Sequence, residues 1–139
     1  MSVKFSNNAS ATLATSINTS VTSIQVTAGQ GAQFPTLTAG DYFYATLVDS
    51  SNNLEIVKVT ARASDTLTVV RAQESTGARA YLAGDKIECR VTAAGLVSIY
   101  NDAKAYTDTA SASSTASLNA HLTDTTDAHP ASAIGFSAT

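Results

Sequence analysis

The spacing of apolar residues changes once along this chain, near Thr92, and that change constrains what can fold on either side of it. Up to about residue 92 apolar side chains recur at every second position; beyond it they recur at every third or fourth. A period of two belongs to half-buried strands, and a period near 3.5 belongs to a helix with one narrow apolar stripe.

The first regime reads as antiparallel β-structure. "SIQVT" (23–27) alternates Ile24 and Val26 with polar neighbours, and "YFYATLV" (42–48) sets Phe43, Ala45 and Leu47 on one face. "SSNN" (50–53) turns the chain into "LEIVKVTAR" (54–62), where Val57, Val59 and Ala61 align. "ASD" (63–65) turns it again into "TLTVVR" (66–71), and "KIECRV" (86–91) points Ile87, Cys89 and Val91 one way. Short polar turns between such runs predict a meander closing into a small antiparallel barrel or sandwich over residues 1–92. Residues 29–41 carry three glycines and Pro35 and are expected to be a connection. Residues 2–17 supply either edge strands or an arm onto a neighbour.

The second regime, 93–123, has a single glycine and no proline, with Thr92 placed as N-cap. Leu96, Ile99, Ala103, Tyr106 and Ala110 follow 3-4-3-4 steps, and Ser114, Leu118 and Leu122 continue in steps of four. The first set is a coiled-coil seam; the slip to steps of four is a stutter that locally relaxes a left-handed supercoil. Two apolar positions in seven are too few for a helix docked on a globular core and suit a seam between identical helices. The Ser- and Thr-rich composition gives the helix little intrinsic propensity of its own. A helix laid back across the β-domain is the competing reading.

Composition narrows the function classes. With 6 % aromatic residues, no Trp and a hydrophobic fraction rich in alanine, the core-formers are few, which favours burial between copies. A net charge of −3 offers no basic field, so nucleic acid is not expected as a partner. No apolar run is long enough for a signal peptide or a membrane span, so synthesis in a cytosol is expected. Cys89 is alone, which leaves neither a disulfide framework nor a Cys-based metal knuckle.

Motifs for catalysis are missing from the sequence: there is no GxxxxGK, GxGxxG, HExxH or GxSxG. No enzyme activity and no cofactor are expected. Both histidines fall in "HLTDTTDAHPASAIGF" (121–136). His121, Asp124, Asp127 and His129 make a metal candidate, because one imidazole per chain around a symmetry axis suffices for a closed site. The preferred reading is a stop: Asp124, Thr125 or Thr126 ends the helix, Asp127 turns, and His129 before Pro130 is held extended. Ile134 and Phe136 then fold back to seal the end of the stalk. Tyr42, Tyr44 and Tyr81 read as sheet packing rather than sugar platforms. Arg71, Glu74 and Arg79 read as a solvated hairpin with internal ion pairs.

"FSNNASATLATSI", "GDYFYATLVD", "LEIVKVTARASDTLTVVRAQESTGARAYLAGDKIECRVTA" and "HLTDTTDAHPASAIGF" resemble the amino-terminal, virion-attached regions of tail-fibre and related tail proteins of tailed bacteriophages. The likeness covers nearly the whole chain. It implies a β-domain (1–92) that fastens to the virion tail or baseplate, a trimeric coiled-coil stalk (93–123) and a fold-back tail (124–139). Such fibres carry an acidic residue where this chain has Pro130, and they run on for hundreds of residues beyond the point matching Thr139. A chain of this length fits a fibre base or adaptor whose further partner is a distal fibre or spike. The alternatives are a capsid-decorating head fibre and a carbohydrate-binding adhesin. The residues expected to carry self-association are Leu96, Ile99, Ala103, Tyr106, Ala110, Leu118, Leu122, Ile134 and Phe136.

Overall fold

The computed structural model describes residues 2–124. Six strands, β1 (Ser10–Thr12), β2 (Ser23–Gln25), β3 (Phe43–Val48), β4 (Leu54–Ala63), β5 (Thr66–Gln73) and β6 (Lys86–Glu88), precede one helix, α1 (Ala93–Thr123). The strands form one antiparallel sheet in the order β1-β6-β3-β4-β5-β2. The described residues are thus mostly β followed by a single helix. The sheet curls as a half-barrel, and the sandwich alternative is set aside because every strand among the described residues belongs to the one sheet.

Its two edge strands meet at one end. Leu13 bridges Val26, the Ala14 amide donates to Gln25 O at 2.8 Å, and the Thr27 amide donates to Thr12 O at 2.8 Å. Residues 2–17 therefore provide an edge strand that helps close the curl, together with a parallel bridge from Val3 to Tyr42. Joining the edges removes unpaired backbone groups that would otherwise template aggregation.

Alternation fixes which side chains enter the curl. Ile24, Phe43, Leu47, Val57, Val59, Leu67 and Ile87 are all fully buried. Each contributes about 1.5–3 kcal/mol relative to exposure, as an upper bound on transfer. Phe34, from the 29–41 connection, stacks on Phe43 with ring centroids 5.6 Å apart. That connection contains a short 3-10 helix, Gln30–Gln33, held by Asp65, whose carboxylate accepts the Gly29 and Gly31 amides at 3.0 and 2.9 Å.

Two expectations fail where the pairing becomes irregular. Ala61 is exposed, because a register shift between Val59 and Ala61 reverses the facing of the rest of the strand. Val91 is 65 % exposed, because β6 ends at Glu88 and the chain leaves the sheet to enter the helix. Cys89 remains half-buried against the core.

The helix spans the expected 93–123, about 46 Å at 1.5 Å per residue. Several of its threonines satisfy their hydroxyls on the preceding turn: Thr107 donates to Ala103 O and Thr109 to Ala105 O, at 3.0 and 2.9 Å. The chain divides into two compact units between Tyr100 and Asn101, so the first two turns of α1 belong with the β-sheet.

Candidate assembly interface

The helix starts on a fixed platform. Thr92 Oγ1 accepts the Gly95 amide at 3.2 Å, as an N-cap should, and the Glu74 carboxylate accepts the Ala94 amide at 3.1 Å. A carboxylate at this end also meets the positive pole of the helix dipole. Glu74 reaches the helix from a loop in which both Glu74 and Ser75 have positive φ (51° and 65°). Its second oxygen, Oε1, is buried without a protein partner. Tyr42 Oη and Ser98 Oγ lie 2.7 Å apart, which fixes the second turn. Gly95 is buried because a Cβ there would sit 3.5 Å from Phe5 Cζ and 3.7 Å from Tyr44 Cδ2.

One face of this first segment, carrying Gly95 and Ser98, is thus occupied by the β-sheet. The expected seam positions Leu96 and Ile99 lie elsewhere and are 56 % and 44 % exposed. Beyond them Ala103, Tyr106, Ala110, Leu118 and Leu122 are all exposed, as is every residue from Asn101 to Asp124. Tyr106 and Leu122 show more than 70 % of their surface to solvent. Two residues outside the expected seam join the exposed apolar set: Val97 and Tyr100, at 56 % and 66 %. At the foot of the helix an open groove of about 370 Å³ is lined by Leu54, Ile56, Glu74, Val91 and Ala93, among others.

The platform is braced from within by a pair that sequence reading missed. Glu55 is fully buried on β4 and its carboxylate accepts four hydrogen bonds, from Arg71 Nε (2.8 Å), Arg71 Nη2 (2.7 Å), the Ala72 amide (3.0 Å) and the Arg79 amide (2.9 Å). Burial pushes the Glu55 carboxyl up, but the Arg71 and backbone hydrogen bonds outweigh it and hold the group below the usual Glu value. Arg71 also donates to the carbonyls of Asn18, Val21 and Arg79. The expected solvated hairpin of Arg71, Glu74 and Arg79 is therefore corrected. The Arg71 side chain is only 7 % exposed and pairs with Glu55, Glu74 caps α1, and Arg79 contributes backbone only to this cluster.

The tyrosines named as sheet packing are largely covered. Tyr81 is 1 % exposed, burial pushes its phenol up to about 12, and its hydroxyl has no protein partner. Tyr42 lies under Lys58 Nζ, 4.0 Å from the ring centroid, and meets Tyr44 edge-on.

The helix ends at Thr123, and the Asp124 amide still bonds to Ala120 O at 3.0 Å. Of the metal candidates, His121 lies in the last turn and Asp124 just after it; Asp127 and His129 lie outside the described residues, as do Ile134 and Phe136. Among the described residues no group of three or more His, Cys, Asp or Glu is placed to hold a metal ion, and no helix is long and apolar enough to cross a membrane.

No protein-family model matches the chain, and a search of curated proteins returns no match.

Proposed function

We propose that this chain is a structural protein of a tailed-phage virion, a tail-fibre base or adaptor whose β-domain docks on the tail or baseplate and whose helix joins three copies in a coiled coil. The observation that supports the reading is the set of exposed apolar side chains along α1. Leu96, Ile99, Tyr106, Leu118 and Leu122 are all 44 % exposed or more on one chain, along a helix about 46 Å long. A solvated helix of this Ser- and Thr-rich composition is marginal alone, so partners that cover its stripe are what stabilise it. Burial of that stripe contributes about 25 cal/mol per Å². Three strands, rather than two or four, follow from the resemblance to tail fibres. The long quoted phrases of the β-domain support attachment to the virion, where a distal fibre or spike is the further partner.

The direct experiment is immunogold labelling of purified particles with an antibody against the β-domain. Label at the tail or baseplate supports the proposal. Label over the capsid favours the head-fibre alternative, and unlabelled particles refute a virion role.

A further inference from the structure

The two flanks of the helix foot are unlike, and their difference has a geometric meaning once copies pair in parallel. With Leu96 and Ile99 as core positions a and d, Gly95 is a g residue, and Ala93 and Tyr100 are e residues. The g flank is occupied: Gly95 is buried, and the Phe5 ring lies 3.5 Å from where its Cβ would be. Phe5 itself is still 40 % exposed. The opposite flank is bare and apolar, with Tyr100 66 % exposed, and it continues down through Ala93 into the groove lined by Leu54, Ile56 and Val91.

In a parallel coil the g flank of one helix faces the e flank of the next, and a g residue meets the e residue of the following heptad. Here that rule brings Gly95 of one copy opposite Tyr100 of another. Gly95 is itself covered, so what the neighbour's ring meets on that flank is Phe5, which covers it and is still 40 % exposed. We propose that a second copy of this chain docks on the helix foot, with its Tyr100 packed against Phe5 where Phe5 covers Gly95. The contact is head-to-tail around the axis, so each copy gives one ring and receives one. It binds the β-domain of one subunit to the helix of the next and fixes their rotation, which the seam alone does not. The inference rests on the coiled-coil self-association proposed above, with the three helices running parallel.

The test is a cysteine pair, Phe5→Cys with Tyr100→Cys, in a Cys89→Ser background, oxidised under native conditions. Solution mass is measured before oxidation and chain ladders are run without reductant after it. A multimeric mass with covalently linked chains is the expected result. A multimeric mass with only single chains on the gel overturns the Tyr100–Phe5 contact and leaves the seam standing. A single-chain mass before oxidation overturns both, provided the unmodified chain is also a monomer. If the unmodified chain is multimeric, a monomeric pair variant assigns essential binding to these rings. Tyr100→Ser offers a check without new bonds. Loss of one aromatic contact per interface raises the dissociation midpoint by about tenfold, whereas Val70→Ser, at an exposed position on β5 (48 %), leaves it unchanged. Equal midpoints for the two variants contradict the proposal.

Discussion

The guanidinium of Arg71 meets the fully buried carboxylate of Glu55 at two points, Nε to Oε1 at 2.8 Å and Nη2 to Oε2 at 2.7 Å. The pair ties β4 to β5, and through the carbonyls of Asn18, Val21 and Arg79 it ties both strands to two loops. Removing one partner leaves the other charge buried and uncompensated. Arg71→Ala is predicted to destabilise the β-domain by about 3–5 kcal/mol, measured by urea unfolding. Arg71→Lys should recover little, because an ammonium cannot match five donors in a planar fork. A loss below about 1 kcal/mol in Arg71→Ala would show the pair behaving as a surface bridge.

Both partners were legible in the sequence, had phase been read for charged residues as it was for apolar ones. Glu55 falls in step with Val57 and Val59, and Arg71 falls in step with Leu67 and Val69. Two opposite charges on the inward phase of adjacent strands are a signal for a buried pair. The alternation that placed Phe43, Ala45, Leu47 and Ile87 inside was correct because those strands pair regularly. It misplaced Ala61 because a bulge changes facing without changing composition. At the helix, the N-cap and the 93–123 span were readable from local chemistry. The contribution of Glu74 and Phe5 was not, because their contacts with the helix foot span 20 and 90 residues and depend on how the sheet curls.

Acid should weaken the β-domain in a defined window. A hydrogen bond from the Thr38 hydroxyl, with others from Ser2 and the Thr38 amide and the charge of Lys4, outweighs burial and lowers Asp41 from 3.8 to about 2. Glu55 is also lowered. A folded value below the unfolded one means the unfolded chain binds protons first, so the stabilisation is complete above the ordinary pKa and is lost as pH falls through the folded one. Stability is therefore predicted to decline below about pH 4.5, with Asp41 contributing between 3.8 and about 2. Asp41→Asn should flatten the lower part of that decline in thermal melts run across pH. An unchanged slope would remove Asp41 from the account.

The 29–33 turn gives a contrast between two glycines. A Cβ on Gly31 would overlap Ser64 O and lie 2.7 Å from Asp65 Cα, both backbone atoms that cannot yield cheaply. Gly29 has open space around it but a φ of +82°. Gly29→Ala is predicted to cost about 1–2 kcal/mol of conformational strain, and Gly31→Ala more than that. Chemical denaturation of the two variants ranks them directly; the reverse order would mean that the hairpin shifts to make room.

Removal of the Thr92 hydroxyl tests whether the helix is anchored where the sheet leaves off. Thr92→Ala loses the bond to the Gly95 amide and is predicted to cost about 1 kcal/mol. Amide exchange at Gly95 and Leu96 should accelerate while exchange in β4 stays slow. Uniform acceleration would indicate that cap and core unfold together.

The central claim is that the exposed stripe of α1 is a contact between identical chains. Multi-angle light scattering of the folded protein across a range of concentrations reads this as mass. The unmodified chain of 14.2 kDa should run at three times its own mass, and Ile99→Asp should fall to a single chain with its β-sheet circular dichroism intact. A single-chain mass for the unmodified protein at high concentration, or an Ile99→Asp variant that remains multimeric, would contradict it.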